Sequence, residues 1–251
     1  MTSALFSHIE TLQDGAAWGR FLDAGTGVNS SLWSTALATE RWVGVTGSPG
    51  HARQVEGRVG DRLRSGDRLI VGNWTDEALL AGERFDTVLA DYLLGAVEGF
   101  SPYFQADLFK RLKPHVDRVL YVVGLDPYVV GPVATPAERM AREIGRMRDA
   151  CLLLADETPY REFPAEWAVN SLRSAGFIVT SARRFPNRYR EAWIDGQLNM
   201  AVRRLPRVPD AALADRLATA IEALRRKGRD LCQAEGGLRC GADWVVRAEP
   251  A

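Results

Sequence analysis

The sequence is poor in the residues that usually announce a special chemistry. Of 251 residues, three are cysteines, Cys151, Cys232 and Cys240, with no CxxC pair. That spacing argues against a disulfide framework or a structural zinc site and suits a reducing compartment, so a cytoplasmic location is expected. Three histidines, His8, His51 and His115, form no HxH or HxxxH pair, which disfavours a metal site. Charge of one sign is missing too: 32 basic and 32 acidic residues leave a formal net charge of zero. No long-range field draws in a phosphate backbone or an anionic membrane, and nucleic acid is disfavoured as a partner. No run approaches the roughly 18 apolar residues of a membrane span, and MTSALFSHIETLQDGAAWGR lacks a basic n-region followed by an apolar core. Lysine occurs only at 110, 113 and 227, a bias that carries no functional weight. No internal repeat, low-complexity tract or long Pro/Gly-rich linker is present.

What is present is a chain of ordinary globular composition, 46% hydrophobic and 25% charged, able to bury a full core as one domain. From Phe21 to Val123 short β-branched or apolar runs alternate with helix-like segments, the pattern of βαβ units around a parallel sheet. Strands are expected at 21–25, 41–45, 67–72, 85–92 and 117–124, with near-continuous hydrophobicity that implies burial on both faces. Helices are expected at 29–38, 49–63, 75–81 and 102–112. A long amphipathic helix follows at 135–155, then a break at Thr158-Pro159, a helix at 166–175 closed by Gly176, and a strand at 177–182. Segments 190–203 and 209–233 read as helices, and GADWVVRA (241–248) as a last strand that could close a sheet edge antiparallel. The expected organisation is a single domain over 1–251: an N-terminal helical segment (1–19), a core sheet (20–185), an inserted or cap helix (135–165), and C-terminal helices with the last strand (186–251).

FLDAGTGVNS places an acid at the end of a buried strand, then Gly-x-Gly, then Asn29 and Ser30 as candidate helix caps. Glycines let the backbone approach a ligand, and N–H groups at a helix start favour a carboxylate or phosphate, as in nucleotide-cofactor loops. A tight strand exit would use the same residues. The dinucleotide fingerprint wants a third glycine where this chain has Ser30. Together, Asp23-Ala24-Gly25-Thr26-Gly27, Gly72-Asn73-Trp74 and Asp91-Tyr92 resemble the successive cofactor motifs of the class I S-adenosylmethionine-dependent methyltransferases, over about residues 20–185.

The resemblance implies a Rossmann-like, doubly wound, mostly parallel seven-stranded α/β sheet in the order 3-2-1-4-5-7-6 with helical cover, and S-adenosylmethionine as cofactor. It implies that the Asp23–Gly27 loop holds the methionine part, with the Asn29 helix facing its carboxylate. Asn73 matches the residue that hydrogen-bonds the adenine amine, Trp74 is placed to pack on the ring, and Asp91 and Tyr92 stand beside the sulfonium and the acceptor. The chain departs from the family at Thr46-Gly47, where Thr46 occupies the place of the acid that grips the ribose. A hydroxyl makes one hydrogen bond there but gives up the bidentate, charge-assisted grip.

Ligands of open α/β sheets bind outside the carboxyl ends of the strands, where this chain is rich in aromatic and polar groups. Asp91, Tyr92, Tyr103 and Tyr128 are the candidate catalytic residues, and Glu98, Asp126, Arg188 and Arg190 are candidates for acceptor binding. Phe100 and Phe104 read more readily as core, and Glu98 is open to a capping role. The segment 183–190 reads as a solvated loop before a helix, with RNA contact or a carboxylate clamp by Arg188 or Arg190 as other uses. The expected activity is methyl transfer to nitrogen or sulfur of a small molecule, by in-line displacement without a metal. Its rivals are an RNA or protein methyltransferase and a non-catalytic binding or scaffold protein of the same fold.

Overall fold

The structure, a computed structural model, describes residues 3–251. The chain forms two compact units. One takes in the chain up to Leu125 with Arg161–Arg184 and Trp244–Ala251, the other Asp126–Tyr160 and Phe185–Asp243.

In the first unit the apolar runs become β1 (Arg20–Asp23), β2 (Arg41–Thr46), β3 (Arg68–Val71), β4 (Phe85–Asp91) and β5 (Val116–Leu125). With β6 (Phe177–Tyr189) and β7 (Leu238–Pro250) they form one seven-stranded sheet in the order β3-β2-β1-β4-β5-β7-β6, the order expected. The pairs β1–β2, β1–β4, β2–β3 and β4–β5 are parallel. β1 lies between β2 and β4, so the order reverses there and opens the crevice in which such sheets take ligands. Helices α2 (Val28–Ser34), α3 (Pro49–Val59), α4 (Leu93–Ala96), α5 (Gln105–Leu112) and α7 (Ala165–Ser174) belong to this unit. Its core joins Leu22, Val43, Val88, Leu120 and Trp244 of the sheet to Leu108, Leu112, Ala168 and Leu172 of the helices.

An N-terminal helix, α1 (Ala4–Gln13), is capped by Ser3, whose hydroxyl accepts from the Phe6 N–H at 3.3 Å. Phe6 stacks on Trp33 at 4.5 Å, the Trp33 indole donates to Glu10 at 2.7 Å, and Gln13 accepts from the Tyr121 hydroxyl at 2.8 Å. These contacts fix α1 to α2 and β5 as integral cover of the unit.

The second unit contains α6 (Pro136–Leu154), α8 (Glu191–Val202) and α9 (Ala211–Ala234). Thr135 and Glu138 form a reciprocal capping box at the start of α6. Ile144, Cys151, Ile194, Leu198, Ile221 and Cys232 fill the core between the three helices.

Three expectations are corrected. The helix expected at 75–81 is a series of turns: Asn73 Oδ1 accepts from the Thr75 N–H and Asp76 Oδ1 from the Ala78 N–H, while Arg111 takes the carbonyls of Asp76 and Leu79. Side-chain bonds to the local backbone thus replace the helical ladder. The helix expected at 29–38 ends at Ser34. Segment 183–189 is strand, continuing β6, the last strand in the order; an edge position tolerates both Pro186 and a row of arginines. Among the described residues no helix is long and apolar enough to cross a membrane.

Candidate functional site

The carboxyl ends of β1, β2, β3 and β4 bring Asp23, Thr46, Val71 and Asp91 to one end of the sheet. Backbone bonds set the β1 exit: the Ala24 N–H donates to Leu89 of β4 at 2.8 Å and the Thr26 N–H to Val45 of β2 at 2.7 Å. The loop from Asp23 to Gly27 is therefore held from both neighbouring strands. Behind it, the Trp74 indole donates to the Ala24 carbonyl at 2.7 Å.

Asp23 is wholly buried, and neither carboxylate oxygen has a partner with full hydrogen-bond geometry; Thr26 Oγ1 is buried and lacks such a partner as well. Burial pushes the Asp23 carboxyl up to about 6, against the lowering pull of the Thr26 and Ser30 hydroxyls and the Gly25 N–H. A charged group in such a place calls for a partner. Gly25 and Gly27 differ. A Cβ on Gly25 would come within 2.8 Å of Leu93 Cβ, so that glycine is required by the close approach of α4. A Cβ on Gly27 would meet nothing within 4 Å, so that position opens on free space. Ser30, standing where the dinucleotide fingerprint has its third glycine, accepts from the Gly27 N–H at 3.1 Å and closes the turn. Asn29 is on α2, a helix of only seven residues.

The β2 and β3 exits are built otherwise. Thr46 is buried, and its carbonyl accepts from the Gly72 N–H at 3.0 Å. The position on Gly47 where a Cβ would stand is 2.9 Å from the Phe100 ring. Asn73 is bonded to Ser101: its amide nitrogen donates to Ser101 Oγ at 2.9 Å, and its oxygen lies 3.0 Å from the same hydroxyl. Trp74 belongs to the core, its ring 5.4 Å from the Arg111 guanidinium and 5.8 Å from His115. It supports the β1 loop from behind.

Asp91 ends β4 in register with Val123 and is half-buried. Tyr92 follows in the left-handed region, φ 50°, and starts α4. Glu98 is buried and occupied by its own loop, accepting from the Tyr103 N–H at 2.9 Å and from Gln105 Nε2 at 2.8 Å, with Arg161 at 3.4 Å. Tyr103, φ 70°, is 77% exposed beneath the Arg161 guanidinium. The structure thus brings Asp23, Ala24, Gly25, Thr26, Gly27, Thr46, Gly47, Asn73 and Asp91 together at the strand ends.

Tyr128, Asp126, Arg188 and Arg190 fall in the second unit. Tyr128 is buried there, its hydroxyl 2.8 Å from Arg148 and its ring 5.8 Å from Trp193. The Asp126 N–H donates to the Ala242 carbonyl, Arg188 lies along Gly237, and Arg190 donates to the Gly236 carbonyl. Sequence reasoning missed Ser101, Arg161 and the place of Phe100 over Gly47; the signal for Phe100 and Ser101 was their position in the segment after β4, which singled out the whole segment without ranking its members, whereas Arg161, between α6 and α7, carried no such signal.

No protein-family model matches the chain, and no curated protein matches it in sequence. Among solved structures it is similar to a candidate methyltransferase from Bacillus halodurans C-125, BH2331, at 14% identity and TM-score 0.60, covering 97% of this chain and 98% of that one. It is also similar to the mycolic acid cyclopropane synthase CmaA1 complexed with SAH and CTAB (15% identity, TM-score 0.56, 97% and 83% covered). A third similarity is to the 4+2 cyclase SpnF (15% identity, TM-score 0.54, 97% and 80% covered). With the strand order, these likenesses define the fold: it is that of the class I S-adenosylmethionine-dependent methyltransferases.

Proposed function

We propose that the protein is an S-adenosylmethionine-dependent methyltransferase whose acceptor is a small molecule, methylated on nitrogen or sulfur without a metal. The observation that carries this reading is the β1 exit, where a buried carboxylate and hydroxyl without full hydrogen-bond geometry stand beside an open glycine at the reversal of the sheet order. These residues fit the zwitterionic end of the donor: Asp23 toward its ammonium, Thr26 as a further hydrogen-bonding group, and Gly27 admitting its close approach. Thr46 and Asn73 would meet the nucleoside with single hydrogen bonds. When bound, the donor supplies an electrophilic methyl group.

The chain's own part is alignment and proton handling. An amine, thiol or thioether is already nucleophilic near neutral pH, so holding the acceptor in line is the main demand. Asp91, at the end of β4 beside this loop, orients the acceptor or takes a proton if the acceptor carries one, and Tyr92 is placed next to it. The likeness to a cyclase favours a second reading, a protein of the same fold that binds the donor without transferring its methyl group, since one fold serves more than one function.

Calorimetric titration with S-adenosylmethionine and S-adenosylhomocysteine, with NAD and NADP as controls, tests the donor. Binding of the sulfur nucleosides at low-micromolar concentration or tighter is expected, and absence of binding overturns the reading. In a screen of amine and sulfur acceptors, Asp91→Asn is expected to lower turnover while leaving donor affinity intact. Unchanged turnover would remove Asp91 from its role, and donor binding without transfer to any acceptor would favour the second reading.

A further inference from the structure

The β1 exit is open, whereas the exits of β2 and β3 are covered by the chain itself. The cover is residues 97–103, which follow α4. Phe100 lies on Gly47, just past β2, and Ser101 is bonded to Asn73, just past β3. One dipeptide thus spans two neighbouring strand ends, and these are positions to which a ligand seated at Asp23 would extend.

The base of this segment is firmly held. Glu98 is buried and ties the Tyr103 backbone and the Gln105 side chain together, and Arg161 pairs with the same carboxylate. The segment ends at Tyr103, a non-glycine residue in the left-handed region, and Tyr92, in the same region, stands at the start of α4 that leads into it. The tip is held more lightly: Phe100 is 40% exposed, and the hold on the strand ends consists of its ring against Gly47, the Asn73–Ser101 pair and a long bond, 3.5 Å, from the Asn73 amide to the Phe100 carbonyl.

We propose that Phe100 and Ser101 form a strap across the nucleoside half of the donor site, which must lift from Gly47 and Asn73 before a nucleoside can bind. The inference rests on the methyl-donor reading above and adds a gate to it. The strap releases Asn73 for the ligand, so the amide exchanges Ser101 for a new partner. Affinity measured on the whole population is then lower than that of the open form by the open fraction, and entry is limited by the rate of lifting.

The test compares S-adenosylhomocysteine binding to the wild-type chain, Phe100→Ala and Ser101→Ala, by calorimetry and by stopped-flow fluorescence. Both variants are expected to bind more tightly, about tenfold for Phe100→Ala. The observed wild-type rate is expected to level off with rising ligand concentration, while that of Phe100→Ala rises linearly. Equal or weaker binding by both variants, with linear rates throughout, overturns the strap and leaves the donor site standing. Binding by none of the three chains overturns the methyl-donor reading itself, and the gate with it.

Discussion

The exit of β1 and the exits of β2 and β3 lie side by side on parallel neighbouring strands, and treat their polar groups in opposite ways. After β1, Asp23 and Thr26 are buried without full hydrogen bonds, and Gly27 faces open space. After β2 and β3, the Thr46 carbonyl, the Asn73 amide and the surface of Gly47 are each taken up by another part of the chain. Folding alone favours the second arrangement, because an unpaired buried polar group costs about 1–3 kcal/mol. A region that keeps such a cost carries a demand other than stability, and the β1 exit is that region.

Removing the cost is the strongest test. An acid whose pKa is raised on folding binds more protons in the folded state, so stability falls as pH rises through the interval between the two values. For Asp23 that interval runs from 3.8 to about 6. Urea unfolding of the wild-type chain is expected to show a loss of about 3 kcal/mol across it. Asp23→Asn is expected to remove that component, to be the more stable protein at pH 7, and to bind the donor worse. A variant less stable than wild type at pH 7 would show that the carboxylate is paired after all.

The two glycines come next. Gly25→Ala forces a methyl group against Leu93, and overpacking of this kind costs about 1–3 kcal/mol. Gly27→Ala meets nothing, so its melting temperature should stay near wild type while donor affinity falls. Equal thermal effects from the two would erase the distinction between a packed and an open position. Trp74→Phe keeps most of the ring but leaves the Ala24 carbonyl without its donor, for an expected loss of about 1–2 kcal/mol. Differential scanning calorimetry reads this directly, and no change in melting temperature would detach Trp74 from the loop. Smallest of all, Arg161→Gln breaks a pair whose arginine is largely exposed, worth about 0–1 kcal/mol. A larger loss on urea unfolding would mean that Glu98 depends on that charge for its burial.

The centre of the sheet was legible because β1, β2, β4 and β5 are largely buried on both faces and are written as nearly unbroken apolar runs separated by helical periods, whereas β3, expected to be buried in the same way, is partly exposed along its length. The strand order came through the resemblance of the three strand-exit motifs. Legibility failed where local side chains compete with the backbone ladder, as Asn73 and Asp76 do at 73–78. It failed again at the sheet edge, where arginines and a proline are as compatible with strand as with loop. At the candidate site, the placement of Asp23, Gly25 and Gly27 at the β1 exit was readable because a buried acid and a glycine turn each have few physical explanations. Trp74 was not, since an indole serves as well behind a loop as against a ligand, and only its bond to Ala24 decides. Phe100 and Ser101 escaped because their partners, Gly47 and Asn73, are about 53 and 28 positions earlier in the chain.

The three cysteines have a practical consequence. All are buried; burial holds the Cys151 thiol above its ordinary range and, with Glu138 nearby, raises that of Cys240 to about 11. Thiolate is the reactive form, so native thiols of this kind react slowly with alkylating probes. The wild-type chain is therefore a quiet background for single-site labelling. A cysteine introduced at the exposed position of Tyr103 would carry a fluorophore or spin label at the foot of the strap and report its motion without removal of any native residue beyond the one replaced.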